Sequence, residues 1–248
     1  MSPMEQFEVR PIVPLHIGSY DVSFTNQALF MCIVVAAVSL FLTLAVSRGR
    51  LVPTRAQSMA EISYEFVANM IKSTTGDDGM VFFPFVFAIF MFVLFSNFMG
   101  LIPGAFTVTS QIAVTFALAA VVILTVVVVG FIRHGFGFLK LFVPKAPFLL
   151  LLLLVPIEII SFLTRLVSLS VRLFANMLAG HTMLQVFASF VVALGAAGGI
   201  LSVLSITPMF MIVFIGALEM LVAFLQAYVF AILTCIYLNE ALHLHEHH

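Results

Sequence analysis

The chain has 248 residues, of which 63% are hydrophobic and only 8% charged, and its mean hydropathy is +1.24. A soluble domain carries about a quarter charged residues, so composition excludes one and makes this an integral membrane protein. The formal net charge of −1 excludes the basic surface that a nucleic-acid partner would need.

Residues 1–25 mix Glu5, Glu8 and Asp21 with Pro11 and Pro14. They read as an outer-side arm, without the short basic-then-apolar pattern of a cleaved signal peptide. Residues 26–47 are apolar over about the 20 positions needed to cross a bilayer, and are the first expected span. Arg48, Arg50 and Arg55 follow. Thr54 with Gln57 three residues on fits a capping box. Beyond it Met59, Ile62, Phe66 and Met70 recur at helical spacing, with Glu61, Glu65 and Lys72 off that stripe. Residues 54–73 therefore read as an amphipathic helix on the membrane surface, although a packing helix of the soluble kind fits the same pattern.

Gly76-Asp-Asp-Gly79 predicts a turn. A Phe-rich second span is expected over 81–102, closed by Pro103-Gly104, and a third over 110–132. Asn97 is the one strongly polar group of the second span; in such a setting Asn more often bonds a neighbouring helix than lines a path. Cys32 and Cys235 both lie inside apolar spans and read as buried small hydrophobes, not as a disulfide or metal pair. Arg133, Lys140 and Lys145 follow the third span. Seven of the ten Lys and Arg fall within 48–80 and 133–146, after the first and third spans and hence on one side. Positive-inside then puts the N-terminal arm outside and both basic loops in the cytoplasm, or in the matrix of a mitochondrion.

From Pro147 the sequence stays apolar for roughly 45 residues, nearly 70 Å of helix against a hydrocarbon core of about 30 Å. Between Pro156 and Gly180 there is no Gly or Pro to make a turn. Residues 147–193 are therefore expected as one long helix, steeply tilted. Gly195, Gly198, Gly199 and Pro208 mark a break, 206–239 a long final helix, and 240–248 a polar tail whose histidines are assigned no function. The expected fold is a single all-α membrane domain of about five membrane helices, the last two long and tilted, plus one surface helix. No internal repeat is visible, so the inverted-repeat transporter architecture has no support.

On the long helix Glu158, Ser161, Arg165, Ser168, Arg172 and Asn176 are spaced 3, 4, 3, 4 and 4 residues apart, which stacks them on one face. His181 lies nine residues past Arg172, half a turn around, with Gln185 one turn on. On the final helix Glu219, Gln226 and Tyr237 share a face. Bland readings exist for several of these. Ser and Asn inside a membrane commonly bond nearby backbone, Arg165 can neutralise Glu158 as a structural pair, and Tyr237 can anchor at the interface. Arg172, Glu219 and His181 are harder to dismiss, because two titratable groups and a permanent cation within hydrocarbon are the parts of a proton path. Arg does not release its proton, so Arg172 serves as fixed charge and not as a relay.

The run Ser168-Leu-Ser-Val-Arg172-Leu-Phe-Ala-Asn176-Met-Leu-Ala-Gly180-His181, together with EMLVAFLQAYVFAILTCIY from Glu219 to Tyr237, resembles subunit a of F-type ATP synthases. The pairing of His181 with Glu219 resembles the mitochondrial and alphaproteobacterial branch. The resemblance implies a stator subunit working against a rotating ring of c subunits. Arg172 would draw each ring carboxylate into releasing its proton and block direct leak between two offset half-channels. It implies that Glu219, His181, Asn176 and Gln226 line the outer half-channel, and that Glu158 and Ser168 lie toward the inner exit.

The implied partners are the c-ring, b-type peripheral-stalk chains, other subunits of the complex and the lipid bilayer. The implied location is a bacterial inner membrane, with the mitochondrial inner membrane as the alternative. The chain has no phosphate-binding Gly-rich loop and no metal-ligand cluster, so no cofactor and no catalysis of its own are expected. Two rivals remain open: a stand-alone cation/proton antiporter, and a structural scaffold whose polar stripe is helix glue.

Overall fold

The computed structural model describes residues 9, 11–14, 16–17, 20–21, 23–47, 53–102, 105–135, 137, 148–199 and 203–242. The expectations resting on Glu5, Glu8, Arg48, Arg50, Pro103, Gly104, Lys140, Lys145 and the tail past residue 242 lie outside them.

The arm before the first span carries two short antiparallel ladders. Pro11–Val13 (β1) pairs irregularly with Phe24–Thr25 (β4), and His16–Ile17 (β2) with Tyr20–Asp21 (β3). Strands of two or three residues show no alternation long enough to read from sequence. The outer ladder delivers Thr25 as the N-cap of helix α1 (Asn26–Val46), where its hydroxyl accepts the Ala28 N–H at 3.3 Å.

Helix α2 (Arg55–Thr75) starts at its expected cap, Thr54, whose hydroxyl accepts the Gln57 N–H. Its apolar stripe does not act as one surface. Met70 is buried, whereas Met59 and Ile62 are 60% and 65% exposed, and the inward face is Ala60, Val67 and Ile71. Over the second half the helix packs like a core element: Phe66 lies 5.7 Å from Phe90 and 5.6 Å from Tyr228, and the Thr75 hydroxyl donates to the Cys235 carbonyl. Gly76 ends the helix at φ +74°, a left-handed value that a side chain rarely tolerates. The expected turn at 76–79 opens into a 3-10 helix over Asp77–Phe82.

Four more helices follow: α3 (Phe83–Gly100), α4 (Ile112–His134), α5 (Phe148–Ala196) and α6 (Ile206–Leu242). Among the described residues five stretches are long and apolar enough to cross a membrane: α1, the 3-10 turn with α3, α4, α5 from Leu153, and α6. Helix α5 has 49 residues and runs through Pro156 without a break, about 74 Å of helix; α6 has 37, about 55 Å. Neither fits upright in a hydrocarbon layer of about 30 Å, so both must tilt to keep their apolar residues out of water. The large exposed side chains are those lipid tolerates, among them Leu44 on α1, Leu124 and Ile132 on α4, and Phe210 and Phe214 on α6. Cys32 on α1 belongs with them: it is exposed, while Cys235 is buried as expected.

Two compact units make up the described chain. One takes in α1, residues 91–111, α5 from Leu173 and α6 to Ala227. Its core includes Val34, Val93, Leu173, Met177 and Ala223, with Phe30 set against Phe106 and Phe41 against Phe95. The other contains α2, α3 to Phe90, α4, α5 to Arg172 and the end of α6; Val67, Phe90, Val126, Leu169 and Phe230 form its core. Along α6 the fully buried positions Ala223, Ala227 and Ala231 recur every four residues, followed by Cys235, a small-residue ridge that lets neighbouring backbones come close.

Candidate functional site

In the unit containing α1, the close approach of α5 and α6 creates a buried polar site. Its tightest point is Gly180 on α5. A Cβ built there would stand 2.6 Å from Glu219 Oε1 and 3.1 Å from its Cδ, so any larger residue makes the Glu219 side chain shift. His181, the next residue, turns its ring inward: Nδ1 faces Glu219 Oε1 at 3.6 Å and Nε2 lies 3.2 Å from the Thr107 hydroxyl. Both side chains are almost wholly buried. At 3.6 Å the imidazole–carboxylate contact is an ion-pair distance and not a hydrogen bond. Neither Glu219 oxygen has a hydrogen-bond partner among the described residues. A bare carboxylate so placed is expensive to bury, and a proton shared with the imidazole relieves that penalty.

Two helical turns along α6 from Glu219, Gln226 Oε1 accepts a hydrogen bond of 3.0 Å from Asn176 Nδ2 on α5. The Gln226 amide nitrogen, buried, has no partner among the described residues, and neither does Gln185 Oε1. Four sequence-predicted residues thus meet as two couples, the buried His181 with Glu219 and the exposed Asn176 with the buried Gln226, and part of their bonding capacity is unused among the described residues.

The sequence pointed to one part of the frame around this site, Asn97, and not to the threonines. Asn97, fully buried on α3, donates to the Ala223 carbonyl of α6 at 3.1 Å and accepts from the Thr109 hydroxyl at 2.9 Å. It therefore bonds a neighbouring helix, as a lone intramembrane Asn commonly does. Thr107 and Thr109 sit in the short connection before α4. Nothing in that connection's composition marks its hydroxyls as pointing at a histidine, and only the fold brings residues 74 positions apart together.

In the other unit the structure corrects the pairing proposed for Arg165. Its guanidinium bonds the carboxylate of Glu240, not that of Glu158, and lies over the Tyr237 ring, 5.4 Å from the centroid. The correction follows from the length of α6. Helix continues through Leu242, so Glu240, expected in a polar tail, is held on a rigid turn within reach. Tyr237 is buried beneath the Arg165 guanidinium. The predicted stripe of α5 divides: Glu158, Ser161 and Arg165 are half-buried, while Ser168, Arg172 and Asn176 are exposed. Among the described residues no carboxylate lies within ion-pair distance of Arg172. No group of three or more metal-ligating side chains occurs among the described residues.

Residues 28–239 match the family model described as ATP synthase A chain. The chain is similar to proteins named ATP synthase subunit a from Mesorhizobium japonicum, at 59% identity over 98% of this chain and 97% of that one. Those of Chelativorans sp. and Rhizobium meliloti are 60% and 59% identical, each over 97% of both chains.

Proposed function

The chain belongs to the ATP synthase A chain family, as a multi-pass membrane component of that complex serving proton transport and ATP synthesis, and on that premise we propose that it carries protons through two offset half-channels to and from a rotating c-ring. It hydrolyses nothing itself. Glu219, His181, Asn176 and Gln226 line the half-channel from the outer side, and Glu158 and Ser168 lie toward the inner exit. The membrane is the bacterial inner membrane, with the N-terminus outside and the C-terminus in the cytoplasm. Besides the c-ring, the chain contacts b-type peripheral-stalk subunits.

The observation that carries the reading is Arg172, an exposed and permanently charged side chain on an apolar membrane helix, with no carboxylate of the described chain at ion-pair distance. A charge in that position costs several kcal/mol unless a partner or solvent meets it. A ring carboxylate supplies that partner. Close to Arg172 the carboxylate favours its charged form and gives up its proton; turned away into lipid it must be neutral. The guanidinium does not accept or release a proton near neutral pH, so it repels a proton moving directly from one half-channel to the other. The buried His181–Glu219 couple supplies what a path needs before that barrier, two groups between which one proton can pass.

The test is Arg172→Ala in membranes carrying the whole complex, read as ATP-driven proton pumping into vesicles. Pumping should disappear while the subunit is still inserted. Undiminished pumping would remove the barrier role and return the stripe to a scaffold.

A further inference from the structure

Resting on the proton-path reading of His181, the geometry points to Thr107 as a positioning residue that holds the His181 ring with Nδ1 toward Glu219 through every protonation state of the pair. The two ring nitrogens face two different partners, the Thr107 hydroxyl at 3.2 Å from Nε2 and the Glu219 carboxylate at 3.6 Å from Nδ1. A hydroxyl is one donor and two acceptors and can rotate between these roles. When the imidazole carries its proton on Nδ1, Thr107 donates to Nε2. When both nitrogens are protonated, Nε2–H donates to Thr107 and Nδ1–H points at Glu219. When the proton passes to Glu219 and Nε2 keeps its own, Thr107 still accepts. The ring therefore need not flip as the proton crosses.

Thr107 is itself fixed. Its carbonyl accepts the Ser110 hydroxyl at 2.7 Å, the connection is tied down by Thr109 to Asn97, and its methyl sits against Gly100, where a Cβ would come within 2.7 Å. Thr107 is 3% exposed, so its hydroxyl is not merely a surface group. Across the described parts of residues 23–47, 91–111 and 173–227 of this unit, Glu219 is the only acidic side chain and no Lys or Arg occurs. Cys32, the one other titratable group besides His181, is exposed on α1. The described arm of this unit adds His16, Tyr20 and Asp21; Glu219 faces the ring on one side and Thr107 on the other.

The experiment compares Thr107→Val, nearly the same shape without the hydroxyl, with Thr107→Ser, which keeps it. The readout is the pH profile of ATP-driven proton pumping, normalised to subunit content. A doubly protonated ring without an acceptor for Nε2–H is disfavoured, so Thr107→Val should displace the acidic limb toward lower pH by about one unit, the equivalent of one lost charge-assisted bond. Thr107→Ser should keep the original profile. If Thr107→Val fails to assemble, Gly100→Ala tests the same point by pushing the hydroxyl off the ring without removing it, and the same displacement is expected. Profiles of Thr107→Val or Gly100→Ala that coincide with the original would overturn the positioning role. His181→Ala is the separate control: pumping unchanged there would instead overturn the proton-path reading of His181.

Discussion

Gly180→Ala is a one-methyl test of the pocket's geometry. The added Cβ would meet Glu219 Oε1 at 2.6 Å, Cδ at 3.1 Å and Cγ at 3.3 Å. Comfortable carbon contacts begin near 3.5 Å, so the carboxylate must retreat by roughly 0.5–1 Å. Its Oε1 stands 3.6 Å from His181 Nδ1, so a shift of that size disturbs the facing of carboxylate and imidazole. Overpacking of this kind costs about 1–3 kcal/mol. If that strain falls on the proton-passing arrangement, pumping slows roughly five- to hundredfold. The assay is ATP-driven acidification of membrane vesicles, with subunit content measured in parallel to separate lost transport from lost assembly. A shorter acid should interact with this defect. In Gly180→Ala/Glu219→Asp the clash is partly relieved, so the double variant should lose less than the product of the single losses. Normal pumping in Gly180→Ala at normal subunit content would refute the close packing of α5 against the Glu219 side chain.

Two further expectations concern the supporting structure. Removing Asn97 as Asn97→Leu strands the Thr109 hydroxyl and takes away the second bond to the Ala223 carbonyl, a loss of about 1–3 kcal/mol; it should appear as lower thermal stability in detergent, and an unchanged melting curve would contradict the frame described for the site. A double-mutant cycle on Arg165→Met and Glu240→Gln should return a coupling of about 1 kcal/mol, since both side chains are only partly withdrawn from solvent, whereas a cycle on Arg165 and Glu158 should return none.

Much of the architecture was legible because hydrocarbon imposes a simple code. Backbone groups in lipid must be satisfied internally, so an apolar run of sufficient length is a helix, and its length alone shows that α5 and α6 exceed the membrane thickness. The cap at Thr54 was equally readable, since capping depends on a few adjacent residues. The stripe from Glu158 to Asn176 was visible as register. Its partners were not. Register says which residues share a face, but not whether that face turns inward or out, and the structure leaves Ser168 and Arg172 exposed.

What the sequence by itself determined is the membrane class, the helical elements and the residue types capable of handling a proton, because each follows from composition or from spacing within one helix. Tertiary structure alone decided which of those residues meet. His181 finds Glu219 and Thr107, Asn176 finds Gln226, and Arg165 finds Glu240 in place of the Glu158 seven residues away on its own helix. The physical reason is that these encounters depend on how closely two helices approach. That distance is set by small residues such as Gly180 and Ala223 at the contact, whose significance lies in what stands opposite them.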